Sequence, residues 1–137
     1  MKKAIFIFLF FALSNAASAQ SQADYEKVMV RFQKFYNAGQ SDSIRAMFSD
    51  DWGTTTEKRA RLWRGGDDLL KEYGKIESMK YLGAEAEDPD KKVRIFKVIC
   101  TKSTHATGLS IDKMGKLQTF RFDTSSDDID EMMKNAK

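Results

Sequence analysis

Lys91-Lys92-Val93-Arg94-Ile95-Phe96-Lys97-Val98-Ile99-Cys100-Thr101-Lys102 is the stretch that decides the fold. It is rich in β-branched residues, and its apolar positions lie on both sides of a two-residue period. Val93, Ile95 and Ile99 point one way; Phe96, Val98 and Cys100 point the other. An antiparallel strand with one wet face alternates cleanly. This one does not, so it is predicted to be a central strand covered on both faces. Downstream, Ser103-Thr104 can turn the chain into a strand over His105 to Ile111, and Asp112-Lys113-Met114-Gly115 suits a hairpin into a last strand over Lys116 to Asp123. Upstream, Ile76 to Glu87 reads as a strand with a possible bulge at Gly83, followed by the turn chemistry of Asp88-Pro89-Asp90. Consecutive strands joined by short turns imply an antiparallel meander.

Ahead of the strands the period is helical. Val28, Phe32, Phe35 and Tyr36 make an apolar stripe over Asp24 to Ala38, widened by Tyr25 and Met29, and Gly39 ends it. Ser41 or Asp42 can cap a short second helix carrying Ile44, Met47 and Phe48, broken by Ser49 to Gly53. Thr54 with Glu57 has capping-box spacing for a third helix whose buried side holds Ala60, Trp63, Leu70 and Tyr73. Gly65-Gly66 predicts a kink or two pieces there, and Gly74 ends the helical part.

The chain starts with a different kind of segment. Lys2-Lys3, the apolar run Ala4 to Leu13 and the small residues Ala17-Ser18-Ala19 have the layout of a cleaved secretory signal, with an apolar run too short to span a bilayer. The expected division is 1–19 as signal peptide, 20–124 as one domain and 125–137 as an acidic tail that is a short helix or frayed. The expected location is periplasmic or secreted. Of 23 Lys and Arg against 20 Asp and Glu, Lys2 and Lys3 sit in the leader, which holds no acid. The formal charge of +3 therefore falls to near neutrality after cleavage, and no nucleic-acid partner is implied. Cys100 is the single cysteine, so an internal disulfide is excluded, and no later apolar run reaches the length of a membrane span.

Helices followed by a bent antiparallel sheet make an α+β plan. Four segments carry a resemblance: Phe32-Gln33-Lys34-Phe35-Tyr36-Asn37-Ala38-Gly39-Gln40-Ser41-Asp42, with its helix ending in Gly-Gln-x-Asp; Met47-Phe48-Ser49-Asp50-Asp51-Trp52; Tyr73-Gly74-Lys75-Ile76; and Leu109-Ser110-Ile111-Asp112-Lys113-Met114-Gly115-Lys116-Leu117. In these the chain resembles the nuclear transport factor 2-like superfamily, the cystatin-like roll, and looks most like its small exported bacterial members. The resemblance covers nearly all of residues 20–137. It implies amino-terminal helices packed in a strongly curved antiparallel sheet, a cone-shaped roll that often holds a pocket, and dimerisation through the sheet. A homodimer is expected, and the two-sided apolar strand supports it independently, because a second copy would shield the outer face.

The superfamily includes isomerases and dehydratases, which need a carboxylate base with tyrosine or a protonated aspartate as oxyanion donors. Tyr36, Tyr73, Tyr81 and Asp123 supply the residue types, but Tyr36 and Tyr73 lie on apolar helix faces and Asp123 ends a strand, so no catalytic residue is assigned. His105 has no evident partner for a dyad, and Cys100 in apolar company reads as an inert buried thiol. No ligand spacing for a metal is present and no cofactor is expected. Lys58, Arg59, Arg61 and Arg64 around Trp63 read as a solvated helix face. The remaining candidate is an apolar pocket within the cone, lined by Trp52, Trp63, Tyr81, Phe96, Phe120 and Phe122. Its competitor is a core that these same aromatics fill. The expected function is a non-catalytic exported module that binds a small apolar ligand or an envelope protein partner; the alternative is a small isomerase-like or dehydratase-like enzyme.

Overall fold

A computed structural model describes residues 20–53, 55, 57–58, 62–63, 66–85, 90 and 92–124, the side chains of residues 123 and 124 apart. Helix α1 spans Gln22–Asn37. It begins two residues before the apolar stripe suggests, because Ser21 and Asp24 form a reciprocal capping box. Asp24 carries the lowered carboxyl pKa such a cap produces, chiefly through its backbone and side-chain hydrogen bonds with Ser21. Tyr25, Val28, Met29, Phe32 and Tyr36 are buried along one side. Helix α2 is Ser41–Arg45, shorter than expected, and neither Ser41 nor Asp42 caps it: Gln40 takes the cap position without a side-chain bond. Met47 and Phe48 fall beyond the helix. Their backbone instead runs beside the last strand, with the Leu117 amide donating to the Met47 carbonyl and the Ser49 amide to the Leu117 carbonyl. A short 3-10 turn follows at Asp50–Trp52. Helix α3 is Gly66–Tyr73 and starts at the second of the paired glycines. The proposed cap at Thr54, the turn at Asp88-Pro89 and the tail 125–137 lie outside the described residues.

The strands are β1 Ile76–Ala84, β2 Arg94–Cys100, β3 Thr104–Ile111 and β4 Leu117–Thr124. They form one antiparallel sheet in the order β1-β2-β3-β4, so the meander is present and the decisive stretch is an interior strand. The architecture is α+β with an open sheet. The expected bulge falls between Tyr81 and Gly83, where the register with β2 shifts. The turn between β2 and β3 lies two residues earlier than predicted, at Thr101-Lys102, closed by the Cys100 amide on the Ser103 carbonyl.

The helix-facing side of β2 is buried, whereas its outer face is covered at one end only. Phe96, Val98 and Cys100 join the helices, Ile76, Leu109, Ile111, Leu117 and Phe122 in the main core. On the other face Ile95 is 1% exposed beside Ala106 and Leu82, whereas Ile99 is 37% exposed. Helix α1 is tied to the sheet at its last turn. The Asn37 side chain accepts from the Ile76 amide at 2.8 Å and donates to the Ile76 carbonyl at 2.9 Å, and Gln33 donates to the same carbonyl at 3.0 Å. These bonds fix where the first strand leaves the helical layer, and they leave the opposite end of α1 against the start of β2.

Candidate functional site

The six aromatics proposed to line one pocket divide into three groups. Trp63, Phe120 and Phe122 surround Phe32 at ring-centroid distances of 5.5, 4.9 and 5.4 Å, and Tyr36 joins them at 5.3 Å from Phe122. Contacts of that length are the packing of a filled core. Trp52 is 44% exposed at the edge of β4, where its indole donates to the Gln118 carbonyl at 2.8 Å and its ring meets Phe48. Tyr81 and Phe96 pair across β1 and β2, ring against ring at 5.3 Å. Tyr81 is the one whose polar end faces something unusual.

That something is Arg94, the first residue of β2. Strand parity puts it on the helix-facing side with Phe96 and Val98, a position where an arginine is out of pattern. Its Nη1 donates to the Tyr81 hydroxyl at 3.0 Å. Its guanidinium carbon lies 5.7 Å from the centre of the Tyr25 ring, within cation–π range. Its Nε is sealed from solvent without a partner. Tyr25, from the first turns of α1, donates to the Lys92 carbonyl at 2.6 Å. Burial pushes the Tyr25 hydroxyl above its ordinary pKa, and the adjacent Arg94 charge opposes that shift.

Arg94 and Tyr25 form part of the wall of an open cleft of about 590 Å³ between the start of α1, the start of β2 and the β3–β4 hairpin. Ile111 and Met114 give the cleft apolar surface, and Gln20, Lys92, Lys113 and Gln118 give it polar groups. Its two carboxylates are already engaged. Asp112 Oδ1 accepts the amides of Met114 and Lys116 at 2.8 and 2.9 Å, and Asp90 pairs with Lys92 at 3.6 Å. Gln20 bonds to the Asp112 carbonyl. Among the described residues no carboxylate pairs with Arg94. A sequence signal for this site existed: Arg94 interrupts the apolar face of the decisive strand.

Of the residues weighed for catalysis, Tyr81 lies at Arg94, whereas Tyr36, Tyr73, His105 and Cys100 lie elsewhere in the core. The Tyr36 hydroxyl donates to the Leu69 carbonyl at 3.0 Å, and the Tyr73 ring lies 4.0 Å from that of His105. His105 is not alone, as the sequence suggested. Ser103 Oγ is 2.6 Å from its Nε2, because residues two apart along an extended chain share a side. Among the described residues no carboxylate orients this Ser–His pair. Burial, and then the nearby Glu77 charge, raises the Cys100 thiol. Burial likewise raises the Tyr36 hydroxyl, with smaller contributions from Cys100 and Tyr73. Both groups are therefore held in their protonated forms at neutral pH. Asp123 lies outside the described side chains. No group of three or more His, Cys, Asp or Glu able to hold a metal ion occurs among the described residues, and no helix there is long and apolar enough to cross a membrane.

No family profile matches the chain, and no curated protein or solved structure matches it significantly.

Proposed function

We propose that this chain is an exported, non-catalytic binding module of the nuclear transport factor 2-like kind, with its ligand site in the cleft beside Arg94 rather than among the core aromatics. One observation carries the reading. The expected lining residues Trp63, Phe120 and Phe122 are in ring contact with one another and with Phe32, whereas Tyr25, Arg94, Ile111 and Met114 border open volume. A few polar groups on an apolar wall is the usual character of a small-ligand site. The order of helices followed by a four-strand meander supports membership of that superfamily, and with it a curved, cone-like sheet. Dimerisation through the outer face of the sheet belongs to the same proposal, with exposed Ile99 as its apolar contact.

Native mass spectrometry of residues 20–137 purified from the producing host tests the reading. The expected spectrum is a dimer carrying a discrete small-molecule adduct, which the cleft substitution Met114→Asp removes. An adduct that persists in Met114→Asp moves the site elsewhere, and a monomer at every concentration removes the dimer.

A further inference from the structure

We infer that the cleft takes a small amphipathic carboxylate, its anionic head on the Arg94 guanidinium and its apolar body on Tyr25, Ile111 and Met114. The inference rests on the cleft being the binding site and adds the chemistry of what enters it. A guanidinium packed on aromatic rings has lost part of its hydration, and without a counter-ion that loss is uncompensated. Arg94 is in that state: Tyr25 covers one face, Tyr81 takes Nη1, and Nε is sealed off. The Tyr25 hydroxyl also lies within hydrogen-bonding reach of the guanidinium, and Arg94 lines the cleft. The end of a guanidinium is a planar pair of donors that matches the two oxygens of a carboxylate.

The charges around the cleft favour the same sign of ligand. Lys113 adds positive charge at the rim, Lys92 and Asp90 cancel as a pair, and Asp112 Oδ1 accepts two backbone amides. An anion therefore meets a guanidinium that has no carboxylate partner among the described residues, with Asp112 held back on the hairpin amides. A ligand without an apolar part would leave Ile111 and Met114 unused. A ligand without charge would leave Arg94 as it is.

The experiment is a ¹H–¹⁵N NMR titration of residues 20–137 at pH 7 with sodium octanoate and, in parallel and below its micelle concentration, with heptyl glucoside, an uncharged amphiphile with the same seven-carbon tail. Octanoate is expected to shift the Arg94 Nε–H signal and the amides of residues 111–114, and to bind about tenfold tighter than the glucoside, the size of one charged hydrogen-bonded contact. Arg94→Gln is expected to erase that difference, while Lys92→Gln leaves it within about twofold, as for a solvent-screened charge. Equal binding of the two amphiphiles overturns the inference yet keeps the cleft as a site. Absence of shifts in the cleft with either compound removes the site as well. A pentapeptide with a free terminal carboxylate that binds tenfold tighter than octanoate overturns the small-molecule assignment in favour of a protein terminus. The comparison in the unsubstituted chain is decisive even if Arg94→Gln fails to fold.

Discussion

Gly74 closes helix α3 and turns the chain into β1 with a φ of +77°, and a Cβ placed there would lie 1.8 Å from Thr101 Oγ1. Two separate effects meet at that position: left-handed backbone, which a side chain disfavours, and close approach to the turn between β2 and β3. Gly115 isolates the first effect. Its φ is +75°, and nothing lies within 4 Å of its Cβ direction. Gly115→Ala is expected to cost about 1–3 kcal/mol from the backbone alone. Gly74→Ala is expected to cost clearly more, because Thr101 and the backbone that holds it must also move. The Thr101 amide is fixed on the Lys75 carbonyl, and the Lys102 amide on the Tyr73 carbonyl, so the turn has little room to retreat. Urea unfolding of both variants reads the difference directly; equal losses would mean that Thr101 swings aside freely.

At the scale of elements, the helical layer and the sheet are joined by a few polar contacts that the apolar pattern does not announce. Ile76 is 2% exposed, and in the described hydrogen bonds its amide is served by Asn37, whereas its carbonyl accepts from both Asn37 and Gln33. Asn37→Ala is therefore expected to cost about 1–3 kcal/mol, the penalty of a buried backbone group left unpaired. Gln33→Ala should cost less, because Asn37 still serves the carbonyl. A larger loss from Gln33→Ala in thermal or urea unfolding would overturn this ordering. The same contrast explains what was legible in the sequence. Periodicity located α1, the four strands and their meander, since burial of apolar side chains drives each of them. It misplaced Met47 and Phe48, whose apolar spacing suits a helix but whose backbone serves Leu117 at the edge of β4. It left Trp63, Phe120 and Phe122 open between a pocket wall and a filled core, because an aromatic that lines a void and one that fills a core look alike in sequence. Arg94 stood out only as a charge on an apolar face, and its meaning depends on Tyr25, Tyr81 and the hairpin, which chain folding brings to it from three other elements.

For the whole molecule, the buried thiol and phenols predict an asymmetric dependence of stability on pH. Cys100, Tyr25 and Tyr36 all have pKa values raised in the folded chain, with burial the leading cause in each. A group raised on folding keeps its proton longer in the native state than in the unfolded one. Its contribution is complete below the unfolded pKa and is lost as pH rises toward the folded one. The unfolded chain releases its thiol proton near 9.0 and its phenol protons near 10.0, so stability is expected to decline from about pH 9 upward and more steeply above pH 10. On the acid side Asp24 acts in the opposite sense. Its pKa is lowered from 3.8, so its contribution is present above that value and fades as pH falls below it; being fully exposed, it adds little. Urea midpoints measured from pH 7 to pH 11 read the alkaline limb, and Cys100→Ala and Tyr36→Phe assign it. Cys100→Ala should remove the portion that begins near pH 9, and Tyr36→Phe should flatten the portion above pH 10. A midpoint constant to pH 11 in the unsubstituted chain would mean that the core admits water to these groups, which the tight ring contacts of Phe32, Tyr36 and Phe122 argue against. The size of the Tyr36 component is thus also a measure of how completely the aromatic interior is filled, and so of whether a ligand must look for room in the cleft.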